Sequence, residues 1–367
     1  MTTTQSVART PLSGVHERLG AKMSPFGGFL MPIQYRGILE EHHAVRSAAG
    51  MFDLSHMGQF VARGEGVAEW LDGLTVNAVA TMKPGQARYN IFTNERGGAL
   101  DDVIIYRLEG RWLIVVNAAN SDKMWRWLCE RVPAGVTLEN RTPASALIAI
   151  QGPRALELLA PLTEADLAHL KYYHATEGTV AGVRAEIART GYTGEDGFEL
   201  FVTAADAERL WETLAREGQR VGLLPAGLGA RDVLRLEAGM PLYGHELEEY
   251  ITPLQAGLDA FVKLDKPQFV GKDALVAQRA GARYERIVGF VMDGRAPARA
   301  GYAVWRAGER VGEVRSGSPA PALGGKNIGT ALVSADAAAP GTQFEIDIRG
   351  QRQRATVVPL PFYKRAR

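Results

Sequence analysis

Two strand-like runs joined by a short glycine-containing loop constrain the fold of this chain most strongly. They are ARYNIFT and ALDDVIIYRL, with NERGG between them, over residues 87–108. A glycine-containing loop between such runs is typical of a β-hairpin. After the short break EGR, WLIVVNA resembles a further strand. The sequence therefore predicts a β-hairpin over residues 87–108.

The predicted elements follow a similar order in two successive parts of the chain. YRGILEEHHAVRSAAG has helical spacing and predicts a helix that ends at Gly50, and strand-like and helical runs follow it. A second pass contains SALIAIQG, a helix from about Pro153, a strand pair through VAGVRAEIARTGYTGEDGFELFVT and a helix from about Ala204. Beyond about residue 280, short strands punctuated by Gly and Pro predict a C-terminal all-β domain.

Length and charge limit the class of protein. The chain has 367 residues, enough for two or three domains. Its 42 Lys and Arg residues balance 41 Asp and Glu residues, so no bulk field attracts nucleic acid or an anionic membrane. No apolar run approaches the roughly 20 residues of a membrane span, and no secretory signal is evident, so we expect a cytoplasmic protein.

Several common kinds of site are absent from the sequence. GxxxxGK[ST], HExxH and GxSxG do not occur. The single cysteine, Cys129, excludes an internal disulfide and a cysteine-built zinc site, and we expect it to be a buried thiol. His42 and His43 are adjacent in a predicted helix and point about 100° apart, so we expect no metal site.

Paired acids in the hairpin and an isolated acid further along are more informative. Asp101 and Asp102 are consecutive in a predicted strand, so only one can enter a shared interior, either as a structural partner or as a catalytic group. Glu199 stands between Phe198 and Leu200, as either a solvated strand residue or an acceptor for paired N–H donors of a ligand.

A cation and two aromatic residues complete the candidates that the residues themselves suggest. Arg231, near the start of a predicted helix, suits an anionic ligand or an ion pair with a neighbour. Tyr89 and Tyr192 lie on or beside the predicted hairpins, where each could contact a ring-shaped ligand or pack in the core.

Ten motifs occur in order from about residue 18 to about residue 364. They are ERLGAKM with MPIQY, GMFDLSHMGQF, ARYNIFTNERGGALDDVIIYR, VVNAAN, ALIAIQGP, RTGYTGEDGFEL, PAGLGARDVLRLEAGMPLYGHEL, TPLQAGL, FVGKDAL and PFYKR. In these motifs the chain resembles the glycine cleavage T-protein (aminomethyltransferase) family. The resemblance implies transfer of an aminomethyl group from lipoylated H-protein to tetrahydrofolate. Ammonia, 5,10-methylenetetrahydrofolate and dihydrolipoyl H-protein would be released.

The resemblance also implies roles for individual residues. Asp102 matches the essential aspartate of the family, with Asp101 as the alternative if the alignment slips by one residue. Glu199 matches the glutamate that binds the pterin edge of folate, while Glu195 and Asp196 are expected as turn residues. The other implied folate-binding residues are Tyr89, Tyr192, Arg231, Asn117 and Met57.

The implied fold is α+β, with three domains around a central folate cavity and a C-terminal β-barrel-like domain at 281–367. Two intertwined lobes would occupy 1–280, the first from about 1–50 and 140–230, the second from about 51–139 plus part of 231–280. Two alternatives share this scaffold. One is a folate-dependent demethylase, and the other is a non-catalytic folate-binding accessory protein.

Overall fold

The computed structural model describes residues 7–281 and 283–366. These residues divide into two compact units, each made of several chain segments. The first contains the described residues of Met1–Trp70, Thr81–Arg88 and Val103–Asp232. The second contains those of Leu71–Ala80, Tyr89–Asp102 and Val233–Arg367.

A six-stranded sheet forms the centre of the first unit, in the order β11-β12-β13-β10-β4-β14. Its pairs are antiparallel except for β14 and β4, which are parallel. Nearly every residue of β10 and β13 is buried, as expected for strands covered on both faces. The strands are β4 (Ala49–Asp53), β10 (Ser145–Gln151), β11 (Ala175–Val180), β12 (Val183–Ala188), β13 (Gly197–Thr203) and β14 (Leu223–Pro225).

Helix α6 (Ala207–Gly218) packs on this sheet through apolar residues at helical spacing. In α6, Leu210, Trp211 and Leu214 lie three and four residues apart and are fully buried in the same core as the sheet. The helices that contribute to this unit are α1 (Ser13–Arg18), α2 (Ile38–Ser47), α3 (Val67–Leu74), α4 (Ser121–Cys129), α5 (Ala155–Leu159), α6 (Ala207–Gly218) and α7 (Leu228–Glu237).

A five-stranded sheet has the order β6-β7-β8-β5-β9 and contains the predicted hairpin. The turn closes through a hydrogen bond from Asn94 N to Gly98 O (2.9 Å), and Gly97 has a φ of 80°, which favours glycine. The hairpin prediction is therefore confirmed. The strands are β5 (Gly58–Gly64), β6 (Gln86–Thr93), β7 (Ala99–Leu108), β8 (Arg111–Val116) and β9 (Val136–Asn140).

The C-terminal strands of the second unit form a closed barrel in the order β15-β18-β17-β16-β19-β20. Inward side chains such as Phe290, Val314 and Phe344 fill it. Closure leaves no open sheet edge. The strands are β15 (Arg286–Met292), β16 (Ala303–Arg306), β17 (Glu309–Ala320), β18 (Lys326–Val333), β19 (Gln343–Ile348) and β20 (Gln351–Val358), and α8 (Lys272–Ala280) precedes them.

The mixed α+β class and the C-terminal barrel are confirmed. The division of residues 1–280 into two lobes stays a prediction. A small sheet near the N terminus was not predicted, with the strands β1 (Ala8–Arg9), β2 (Lys22–Phe26) and β3 (Phe29–Gln34). In the described part of the chain, no helix is both long and apolar enough to cross a membrane.

Two local predictions were wrong. The helix expected to end at Gly50 ends at Ser47, and Gly50 lies in β4, where it pairs with Gln151 and where a Cβ would collide with Val45. Cys129 is exposed, since the buried face of α4 is formed by Met124 and Leu128.

Candidate functional site

Glu199 is a buried carboxylate with one oxygen open. Its side chain is 7% exposed and lies on β13 directly between Ala149 of β10 and Ala188 of β12. These short neighbours do not cover it laterally. Oε2 accepts hydrogen bonds from the hydroxyls of Tyr106 and Thr190, whereas Oε1 accepts none from the described residues. No ion pair to Glu199 is found within 7–281 or 283–366. A buried charge without a cation is typical of a binding site.

Tyr106 and Thr190 were missed by the sequence analysis. Tyr106 lies on β7, is fully buried against Phe201 with ring centroids 5.4 Å apart, and places its hydroxyl 3.2 Å from Glu199 Oε2. Burial, together with the charge of Glu199, raises the pKa of the Tyr106 phenol well above its usual value. The phenol therefore stays protonated and acts as a donor.

Gln151, at the end of β10, shapes the loop that carries Thr190. Its Nε2 donates to the carbonyl of Thr190 (3.0 Å), and its Oε1 accepts from the hydroxyl of Thr193 (3.0 Å). A Cβ on Gly191 or on Gly197 would collide with the Gln151 amide. The glycines of RTGYTGEDG thus allow this buried amide to lie beneath the loop.

The acids of this loop form ion pairs in addition to lying at its turn. Arg46 Nη1 donates to Glu195 Oε1 (2.8 Å) and to the carbonyl of Thr193 (2.7 Å). Arg189 donates two hydrogen bonds to Asp196, from Nε to Oδ1 (3.0 Å) and from Nη2 to Oδ2 (2.6 Å). Two-point Arg–carboxylate pairing fixes geometry as well as charge. The loop is therefore held from both sides.

Tyr192, in the middle of the loop, lies against a cation. The guanidinium carbon of Arg231, from α7, is 4.5 Å from the centroid of the Tyr192 ring. Both residues are half-buried. A guanidinium stacked on a phenol ring forms a flat, charged surface that suits a planar or anionic ligand. The structure thus brings together two of the predicted binding residues.

His56 is a buried neutral imidazole in the same unit. Burial lowers its pKa to about 4; Asp53 opposes that shift and Arg231 adds to it. Its Nδ1 is buried without a hydrogen-bond partner among the described residues, and Phe26 and Phe29 pack edge-on with ring centroids 5.7 and 6.5 Å away. The positive charge of Arg231 therefore helps to lower the pKa of His56, the residue that precedes Met57 in the chain.

Met57 and Asn117 are both half-buried in the first unit. Met57 follows His56 in the turn between β4 and β5, and Asn117 follows the last residue of β8.

In the second unit, Tyr89 and Asp102 form a pair. The Tyr89 hydroxyl donates to Asp102 Oδ2 (3.0 Å), and the Tyr89 ring packs against Phe261 with centroids 4.9 Å apart. Asp102 is half-buried, whereas the neighbouring Asp101 is fully buried. The prediction that only one of the two acids enters the interior is confirmed.

A charged cleft of about 430 Å³ in the first unit is the main alternative location. The charged side chains that line this cleft form ion pairs with one another. Glu186 holds the side chains of Arg111 and Arg141, Arg63 contacts Glu139, and Arg184 lies 3.6 Å from Glu177. Each of these four arginines is paired with one of three glutamates, whereas Glu199 has no ion pair in the described part of the chain, so Glu199 is the stronger ligand group. Within 7–281 and 283–366, no cluster of three or more His, Cys, Asp or Glu residues could hold a metal.

Comparisons with known proteins agree along the chain. Residues 12–266 match the model of the GCVT N-terminal domain, and 285–364 match that of the glycine cleavage T-protein C-terminal barrel domain. An aminomethyltransferase of Moorella thermoacetica is 49% identical over 97% of this chain and 98% of its own length. One of Streptomyces coelicolor is 51% identical over 97% and 98%.

A solved structure shows the same fold. The glycine cleavage system aminomethyltransferase T of Bartonella henselae superposes with a TM-score of 0.92, at 34% identity, and the match covers 98% of this chain and 99% of that one. The chain therefore belongs to the glycine cleavage T-protein family.

Proposed function

We propose that this chain transfers the aminomethyl carbon carried by the lipoyl arm of H-protein to tetrahydrofolate. The chain is an aminomethyltransferase of the glycine cleavage system by its family and by its similar relatives. The observation that carries the finer proposal is Oε1 of Glu199, a buried acceptor that has no hydrogen bond and no ion pair among the residues that the structure describes. We also propose that the protein acts in the cytoplasm.

Glu199 suits the pterin ring because that ring has an N–H and an exocyclic amine side by side. Both are donors, and a carboxylate is the natural acceptor for such an edge. Both hydroxyl contacts of Glu199 involve Oε2, so the ring edge would meet Oε1 rather than one oxygen for each donor. Parallel bonds to both oxygens, as the sequence analysis expected, would require a hydroxyl to leave.

Tyr192 and Arg231 would support the same ligand. The stacked pair offers an aromatic face together with a positive charge. Tetrahydrofolate has ring systems and a glutamate tail with carboxylates, which are complementary to these two features. Met57 and Asn117 are proposed as further lining residues because they are half-buried in the same unit.

Asp102 is proposed as the group that acts on the reacting carbon. The C–S bond to the lipoyl sulfur and the C–N bond to the amino group break, and the carbon forms new bonds to two folate nitrogens. The two protons that these nitrogens lose go to the lipoyl sulfur and to the departing ammonia. Positive charge develops on the aminomethyl carbon during this exchange, and a fixed carboxylate stabilises it. The hydroxyl of Tyr89 orients Asp102, and Asp102 is the more accessible of the two hairpin acids.

Ammonia release from aminomethylated H-protein in the presence of tetrahydrofolate tests this function. Asp102→Asn should lower kcat by about 10²- to 10³-fold, the usual effect of removing one preorganised electrostatic group, while tetrahydrofolate binding is retained. Asp101→Asn is the matched control because it changes the adjacent acid in the same strand, and thermal unfolding verifies that both variants fold.

Three outcomes separate the alternatives. Loss in Asp102→Asn alone supports the proposal. Loss only in a folded Asp101→Asn moves the catalytic role by one residue. No release by the wild type contradicts aminomethyl transfer, and methyl transfer from a sulfonium or aryl ether donor would then distinguish a demethylase from a non-catalytic folate-binding protein.

A further inference from the structure

Two hydroxyls are directed at the same oxygen of Glu199. Tyr106 and Thr190 both donate to Oε2, and their own oxygens are 3.3 Å apart. A carboxylate oxygen has two lone-pair positions, so two O–H donors fill Oε2. Oε1 keeps both of its positions for a ligand. This arrangement orients the carboxylate, since rotation about its last bond would break both hydrogen bonds.

Thr190 cannot readily move away from Glu199. It is 1% exposed, and the Nε2 of Gln151 holds its carbonyl. The pairs Arg46–Glu195 and Arg189–Asp196 anchor the rest of the loop. A side chain with a fixed backbone and a buried hydroxyl loses little freedom when a ligand binds, and such preorganisation improves affinity.

We propose that Thr190 is a positioning residue for ligand binding, because its hydroxyl, together with that of Tyr106, occupies Oε2 of Glu199 and directs Oε1 to the ligand. The proposal rests on the proposed function, in which that ligand is the pterin edge of tetrahydrofolate. Thr190 itself does not contact the ligand. Its effect passes through Glu199 alone, so it should act on binding and not on the chemical step.

The test compares Thr190→Val with Thr190→Ser. Valine keeps the shape of threonine but lacks the hydroxyl, and serine keeps the hydroxyl. We expect Thr190→Val to weaken tetrahydrofolate binding about tenfold, as for the loss of a hydrogen bond to a charged group, with kcat for ammonia release within about twofold of wild type. Thr190→Ser should bind within about threefold of wild type. Thr213→Val is the matched control, since Thr213 is half-buried on α6 and its hydroxyl donates to the carbonyl of Arg209 and not to Glu199.

A double-mutant cycle with Glu199→Gln separates positioning from a general structural role. If Thr190 acts through the carboxylate, Thr190→Val should change affinity less than about twofold in the Glu199→Gln background. The same tenfold loss in both backgrounds would overturn the proposal. Wild-type affinity in a folded Thr190→Val would also overturn it.

Failure of this proposal and failure of the proposed function are distinguishable. A wild-type protein that does not bind tetrahydrofolate contradicts both. A wild type that binds it and releases ammonia, with a Thr190→Val variant of equal affinity, contradicts only the role of Thr190. If Thr190→Val does not fold, Thr190→Ser and Tyr106→Phe still decide, since serine must preserve affinity and loss of the tyrosine hydroxyl must weaken it.

Discussion

Each unit of this protein buries more than one glutamate, and Glu246 and Glu199 are satisfied differently. Glu246, in the second unit, accepts from Arg235 Nη1 (3.0 Å) and from the backbone N–H of Leu242 (2.9 Å) on one oxygen. Its other oxygen accepts from the hydroxyl of Thr330. Glu199, in the first unit, has two hydroxyl donors on one oxygen, and within residues 7–281 and 283–366 it has no ion pair and no hydrogen bond to its second oxygen.

The difference indicates that Glu246 contributes to the stability of the fold and that Glu199 is available to bind a ligand. Although burial acts to raise it, Arg235 holds the pKa of Glu246 below its ordinary value, so this carboxylate stays charged and serves the fold. In Glu199, both hydroxyl donors bind Oε2, so Oε1 can still accept hydrogen bonds from a ligand. An incompletely satisfied buried carboxylate is a cost to folding that a ligand can offset.

Breaking the ion pair of Glu246 should have the largest effect on stability. Arg235→Met leaves a fully buried carboxylate without its cation, so the free energy of unfolding should fall by about 3–5 kcal/mol. Urea denaturation measures this change. The double variant Arg235→Met/Glu246→Leu should recover most of the loss, because it removes both charges. A loss below about 1 kcal/mol in Arg235→Met would show that the pair does not dominate this region.

His56 is a third buried titratable side chain, and it differs from the two glutamates because it stays neutral. Its folded pKa of about 4 lies below the ordinary value of 6.5, so the unfolded chain binds a proton first as the pH falls. Stability should therefore decrease from pH 6.5 towards pH 4, by about 3 kcal/mol over the whole window. Urea denaturation of wild type and of His56→Phe between pH 7 and 5 measures the difference in slope.

The expected result is a shallower pH dependence in His56→Phe. Equal slopes in wild type and His56→Phe would mean that His56 does not titrate as inferred. Asp53 and Glu246 have lowered pKa values, so the stability that each provides is present above its unfolded pKa and is lost only at more acidic pH.

Removing one hydroxyl donor from the neighbours of each glutamate should have a smaller effect on stability and tests the same comparison. Thr330→Val and Tyr106→Phe both delete an O–H donor to a buried carboxylate, and each should lower the free energy of unfolding by about 1.5 kcal/mol. Only Tyr106→Phe should also weaken tetrahydrofolate binding. Equal binding losses in both variants would contradict the assignment of separate roles.

Part of this picture could be predicted from the sequence because it depends on local order. The hairpin was recognisable from its glycine-containing loop, and Glu199 stood out between Phe198 and Leu200. The alternation of the strand also indicated that only one of Asp101 and Asp102 could be buried.

The partners of Glu199 could not be predicted, because they depend on strand register and on packing between distant segments. Tyr106 lies 93 residues before Glu199 in the sequence. The alanines beside Glu199 are its neighbours only through the pairing of β13 with β10 and β12. Likewise, the spacing of RTGYTGEDG did not reveal that its glycines accommodate Gln151.

The measurement that tests the central claim most directly is tetrahydrofolate binding to Glu199→Gln, by isothermal titration calorimetry, alongside urea denaturation of the same variant. We expect affinity to fall at least about tenfold, since the open oxygen loses its charge or is replaced by an amide donor, while the free energy of unfolding changes by less than about 0.5 kcal/mol. Unchanged affinity, or a loss of stability as large as that of Arg235→Met, would contradict the account.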